Sequence, residues 1–257
     1  MIFSIGFASM LVWLTAIILA SLGIVVLFGN RSLMSRAFAN FLLWGSLWLA
    51  SHGLFHSANE IAAQNLIKSN YFFGGALAAA FFYFALVFPE GKKPKWWVIP
   101  LLIASQILLG GLYLFTNTIV YGAISIQSLG HWGWYFGSLS ILFDFFFYLY
   151  WCGGLGLLFR KFWKKEKGSV ERIHLKYVLI AMIISISPTS IMNILLPKLG
   201  YFSLDWIGAV TVLNFVIVIA YSIIKYNQMD VKAVAAEVLV LVMVIVLFAN
   251  IFTSATL

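Results

Sequence analysis

The chain has 257 residues, 63% of them apolar and only 9% charged, with a formal charge of +8. A water-soluble domain is about 45–50% apolar and roughly 25% charged, and a chain of this size folded in water leaves too much surface wet to hide so much Leu, Ile, Phe and Trp. Composition therefore excludes a soluble domain, and the single cysteine, Cys152, excludes an internal disulfide or a thiolate metal cluster.

The bilayer is the apolar solvent that fits. A spanning helix needs about 20 mostly apolar residues. The apolar runs here are long and unbroken, unlike the alternating strands of a membrane barrel. They predict helices over residues 5–29, 37–58, 69–88, 97–116, 134–159, 174–196, 204–226 and 234–254. Gly29-Asn30, Pro89, Pro94, Gly130 and Pro197 mark breaks between them. The fold class is an all-α membrane protein: a seven-helix transmembrane bundle (residues 1–232) plus an eighth transmembrane helix (residues 233–257). The first helix has no basic segment ahead of it and is longer than the apolar part of a signal peptide.

The second helix carries His52, His56 and Glu60, whose spacing of four puts them on one face near the outer end. Trp44 and Trp48 continue that stripe inward. Histidines so spaced suit a metal ion or a pH response; a polar helix end reaching water accounts for them as well. Two imidazoles and one carboxylate fall short of a metal centre, so neither metal nor cofactor is expected. In the third helix, Gly74, Gly75, Ala76, Ala78, Ala79 and Ala80 allow close helix packing.

The fifth helix holds Asp144, about ten residues from its outer end and so ~15 Å deep. A charge within the bilayer costs at least a few kcal/mol and usually faces the bundle interior. Asp144 reads either as a ligand anchor, ion site or proton switch, or as a carboxyl that pins two helices together. In the sixth and seventh helices, Asn193 and Asn214 lie beside Ser185, Ser187, Thr189 and Ser190 as interhelical hydrogen-bonding groups, and Pro188 predicts a kink. The ligand-binding or sensing candidates are Asp144, His52, Trp48, His56 and Asn214, around an outer-half cavity. No residue is assigned a catalytic role.

Fourteen of the 16 basic residues fall in alternate loops. They include Arg31 and Arg36, then Lys92, Lys93 and Lys95, then seven between Arg160 and Lys176, then Lys225 and Lys232. Only Lys68 and Lys198 fall on the other side. Lys and Arg gather in cytoplasmic loops, so the N-terminus is expected outside the cell. Trp96 and Trp97 sit at the inner interface; Trp132, Trp134 and Trp206 are expected at the outer one, beginning the fifth and seventh helices. The basic loop 160–176 is expected to bind anionic lipids, each cation contributing about 1 kcal/mol. Nucleic acid is not an expected partner of so short a membrane-bound loop.

Three stretches carry a family likeness. The third helix ends in Phe-Ala-Leu-Val-Phe-Pro-Glu (residues 84–90). The sixth begins with Arg172-Ile-His-Leu-Lys-Tyr177. The seventh ends in Ala-Tyr-Ser-Ile-Ile-Lys-Tyr (residues 220–226), followed by Asn-Gln-Met-Asp-Val-Lys (residues 227–232). Over roughly residues 5–232 the chain resembles the N-terminal seven-helix membrane region of bacterial sensor histidine kinases. There a Phe-Pro closes the third helix and a Tyr-Ala-Ile-x-x-Tyr-x-x-x-Asp-Ile pattern closes the seventh; here Ser222 and Val231 replace the Ala and the Ile. The resemblance implies a multi-pass protein of the bacterial inner membrane, a homodimer, and an output kinase domain or protein as partner.

The chain has neither a phosphotransfer helix nor an ATP-binding segment, so it is not expected to be an enzyme. It is expected to be either a fragment, with residues 233–257 a truncated connection to an output domain, or a stand-alone relative. The function expected is a signal-sensing input module that receives a small-molecule, lipid or proton signal and relays it by helix rearrangement. A small-solute transporter or channel is the alternative.

Overall fold

A computed structural model describes residues 2–29, 32–126, 131–215 and 218. The end of the seventh predicted helix, with Tyr221, Ser222, Lys225, Tyr226, Asp230, Val231 and Lys232, lies outside the described residues, as do Asn30, Arg31, Gly130 and the whole eighth helix. Six long helices follow one another: α1 (Ile2–Gly29), α2 (Leu33–Ser57), α3 (Glu60–Val87), α4 (Val98–Phe115), α5 (Ser140–Lys164) and α6 (Val170–Ser190). The α6 rod continues through a π turn (Ile191–Leu195) and a last turn (Leu196–Lys198), and α7 (Asp205–Val210) opens the seventh predicted span. Five helices among the described residues are long and apolar enough to cross a membrane.

Side-chain caps set the boundaries. Ser32 and Ser169 accept from the backbone N–H of Ser35 and Arg172 and so start α2 and α6. Asn59 accepts from Ala62 N at 3.0 Å and starts α3 at Glu60, nine residues earlier than hydropathy predicts. Glu60 therefore begins α3, exposed, and does not extend the His52–His56 face of α2. Pro89 lies just beyond the end of α3, as expected. Pro188 does sit inside α6, and the regular winding gives way to the π turn three residues later.

The largest correction concerns the start of the fifth helix. Residues expected to begin it form instead a β-hairpin, β1 (Val120–Ile126) antiparallel to β2 (His131–Phe136). The cause is local: Trp132, Trp134, Tyr135 and Phe136 are strand-favouring aromatics. Trp132 Nε1 donates to Ala58 O at 2.9 Å, fastening the hairpin to the end of α2. Trp134 is buried among the helices and donates to the Tyr71 hydroxyl at 3.1 Å.

Small residues bring the helices together, the means by which helices pack in lipid. Ser46 Oγ of α2 donates to Ala16 O of α1 at 2.9 Å. Phe81 of α3 stacks on Trp151 of α5 at 4.3 Å, over Gly154, where a Cβ would come within 2.6 Å of the Phe81 ring. Lys161 of α5 donates to Ala85 O, Leu86 O and Phe88 O, capping the C-terminal carbonyls of α3. Beside it Lys165 pairs with Glu90 at 3.5 Å, so the third and fifth basic loops share one end of the bundle. On α4, Ile99, Leu101, Ile103, Ile107, Leu108 and Phe115 are exposed, an apolar face suited to lipid.

Candidate functional site

Toward the hairpin end, α2, α3, α5, α6 and the residues just after α7, Val212 and Phe215, surround a cavity of about 70 Å³. Its walls are rich in aromatic rings, among them Trp48, Tyr71, Trp134, Phe143, Phe147, Trp151 and Phe215. Polar groups enter from His52, Asn70, Ser185, Thr189 and Asn193. Phe41 closes the side nearer the basic loops, edge-on to both Trp151 and Phe215.

Each polar group is held by its own element. Asn70 of α3 places Nδ2 3.0 Å from both Trp48 O and Ser51 Oγ, and Ser51 Oγ donates to Trp48 O at 2.8 Å. These bonds brace α2 one turn before His52. Gly74 leaves room for the Trp48 indole to lie against α3. Thr189 of α6 lies within hydrogen-bond distance of Ser185 O (2.7 Å), Gly208 O (2.8 Å) and Thr211 Oγ1 (3.1 Å), joining α6 to α7. Asn193 rides on the π turn, with both amide atoms buried and no hydrogen-bond partner for either among the described residues. Such a group in a cavity wall is a place for a water or a ligand atom.

At the rim of the cavity on the hairpin side, three titratable side chains converge. His52 is 3% exposed and Asp205, the first residue of α7, is 1% exposed. His56 Nε2 lies 3.1 Å from Asp205 Oδ2, His52 Nε2 lies 3.8 Å from the same oxygen, and the two imidazole nitrogens are 3.4 Å apart. The Trp48 ring lies against His52 at 6.1 Å, nearly parallel. Among the described residues this is the group of His, Cys, Asp and Glu that could hold a metal ion.

The structure thus brings together three of the five sequence candidates, Trp48, His52 and His56. Asp144 lies elsewhere. Because α5 begins at Ser140, Asp144 stands about one turn from the helix start rather than ~15 Å deep, and it forms an ion pair with Lys198 at the end of the α6 rod. That is the helix-pinning arrangement. Asn214 is exposed and takes no part in the cavity lining. Sequence reading missed Asp205 as a partner of the histidines. Its place just before Trp206, at the expected start of the seventh helix, looks like an ordinary polar helix start, and nothing in spacing ties it to α2.

Residues 11–232 match the N-terminal 7TM region of histidine kinase. The chain belongs to that family. No curated protein matches it. The family is a transmembrane sensor input region and is itself non-catalytic, and the apolar helices put the chain in contact with the lipid bilayer as a multi-pass membrane protein. Its Phe88-Pro89 and the Arg172–Tyr177 segment that opens α6 both fall inside the matched region.

Proposed function

We propose that the aromatic cavity is the input site of this 7TM region, receiving a small amphiphile. The observation that carries the reading is a partly open apolar space between helices with a few convergent polar groups, Asn70, Thr189 and Asn193 among them. Ligand sites in helical bundles have this character. A volume of about 70 Å³ holds only a few waters. A larger guest has to move α6 and α7 away from α5, and that displacement is the signal.

The module works in the bacterial inner membrane with its N-terminus outside, so the cavity opens toward the external side. Arg160, Lys164, Lys167 and Lys176, all exposed, hold the opposite end on anionic lipids. Residues 1–232 receive the signal, residues 233–257 carry it onward, and the output is a kinase domain or protein acting as a homodimer. Transport of a solute is the weaker reading, because the side of the cavity nearer the basic loops is lined by the rings of Phe41, Trp151 and Phe215 rather than by polar side chains.

Trp48, Trp134 and Trp151 line the cavity, so their fluorescence reports on it. Titration of the chain in nanodiscs with 1-hexanol is expected to shift the emission saturably. Val212→Phe, which fills the cavity, is expected to abolish the shift. A non-saturating change, equal in both proteins, contradicts the assignment.

A further inference from the structure

We propose that His52, His56 and Asp205 form a site for one divalent transition-metal ion of the zinc class, which ties the outer end of α2 to the start of α7. This proposal goes beyond the amphiphile site and does not depend on it.

On α2 the two histidines are one helical turn apart and face the same way. Their ring planes are nearly perpendicular, with centroids 4.8 Å apart, and both bring Nε2 to a single carboxylate oxygen. Ligand atoms around a tetrahedral zinc, bound at about 2.0–2.1 Å, stand roughly 3.3 Å from one another. The three distances here, 3.1, 3.4 and 3.8 Å, bracket that value. The nearest point equidistant from the three atoms, in their plane, lies about 2.0 Å from each, the bond length zinc makes to imidazole nitrogen and to carboxylate oxygen.

Chemistry narrows the ion. Two imidazoles and one carboxylate form a borderline donor set, suited to Zn²⁺, Ni²⁺ or Cu²⁺. Ca²⁺ and Mg²⁺ take oxygen ligands and do not suit two imidazoles. Three protein ligands leave a fourth position for water or for a ligand atom, and His52 also lines the cavity. The ion fixes α7 to α2, and α7 opens the last stretch of the matched region.

The test uses the whole chain in nanodiscs, stripped with EDTA and then equilibrated with Zn²⁺ or with Co²⁺. Elemental analysis is expected to find about one zinc per chain, and Co²⁺ is expected to give the visible bands of a four-coordinate ion, displaced by Zn²⁺. Asp205→Asn and His56→Ala are each expected to weaken binding more than about a hundredfold, beyond the loss typical of an outer-shell partner. Folded wild-type chain holding under a tenth of an equivalent overturns the proposal, as does undiminished binding in both variants. Should the variants not fold, X-ray absorption on the zinc-loaded wild type decides. Two imidazole nitrogens in the first shell support the site; a shell without imidazole overturns it.

Discussion

Gly208 of α7 makes room for Asn193 of the π turn: a Cβ at position 208 would lie 2.6 Å from the Asn193 amide nitrogen. The close approach sets α7 against the α6 rod beside the cavity, where Thr189 already binds Gly208 O. Gly208→Ala is therefore expected to push the two elements apart. Overpacking of this kind costs about 1–3 kcal/mol. A lowered unfolding midpoint in detergent, with Gly156→Ala as a control that meets open space, checks it.

Lys161 lies on three backbone carbonyls at the end of α3. Lys161→Met keeps an unbranched side chain, one atom shorter, and removes the donors. Leaving buried acceptors unsatisfied costs roughly 1–3 kcal/mol, so the variant is expected to unfold at clearly lower denaturant. Lys164→Met, at an exposed position in the same last turn of α5, is expected to change stability by less than about 0.5 kcal/mol.

Asp144 and Lys198 are expected to matter for packing rather than for ligand binding. Ion pairs of partly exposed side chains contribute about 1 kcal/mol or less. Asp144→Asn and Lys198→Met are each expected to lower stability slightly and to leave the 1-hexanol fluorescence response intact. Loss of that response in Asp144→Asn alone would return the carboxylate to the ligand site.

Orientation is open to a labelling test. In a Cys152→Ser background, a cysteine at position 198 is expected to react with an impermeant maleimide from outside intact cells. A cysteine at position 95 is expected to react only after the membrane is opened. The reverse pattern contradicts an external N-terminus.

Much of the bundle is legible in the sequence because the bilayer makes hydropathy nearly sufficient. The starts and ends of α1, α2, α4 and the α6 rod fall within a few residues of the apolar runs. The failures have local causes. The first turns of α3, around Gln64, Asn65 and Lys68, are too polar to register as membrane helix; the Asn59 cap and the Lys68–Asn117 hydrogen bond hold them outside the apolar stretch. Trp134 reads as the start of a helix, whereas it lies on a strand that packs it against Tyr71. That six-residue strand in turn moves the helix start to Ser140 and makes Asp144 shallow. The histidine spacing on α2 is visible, but its carboxylate partner comes from α7, and contact between distant segments leaves no periodic trace.

The central claim is that occupancy of the cavity drives the helix arrangement that this 7TM region passes on. The most direct measurement is the phosphorylation output of a histidine kinase carrying this membrane region, with Val212→Phe compared against Leu108→Phe, whose side chain faces away from the bundle on exposed α4. The account predicts a several-fold shift in basal output and loss of the stimulus response for Val212→Phe, and wild-type behaviour for Leu108→Phe. Wild-type basal output and response in Val212→Phe, at normal membrane abundance, would contradict it.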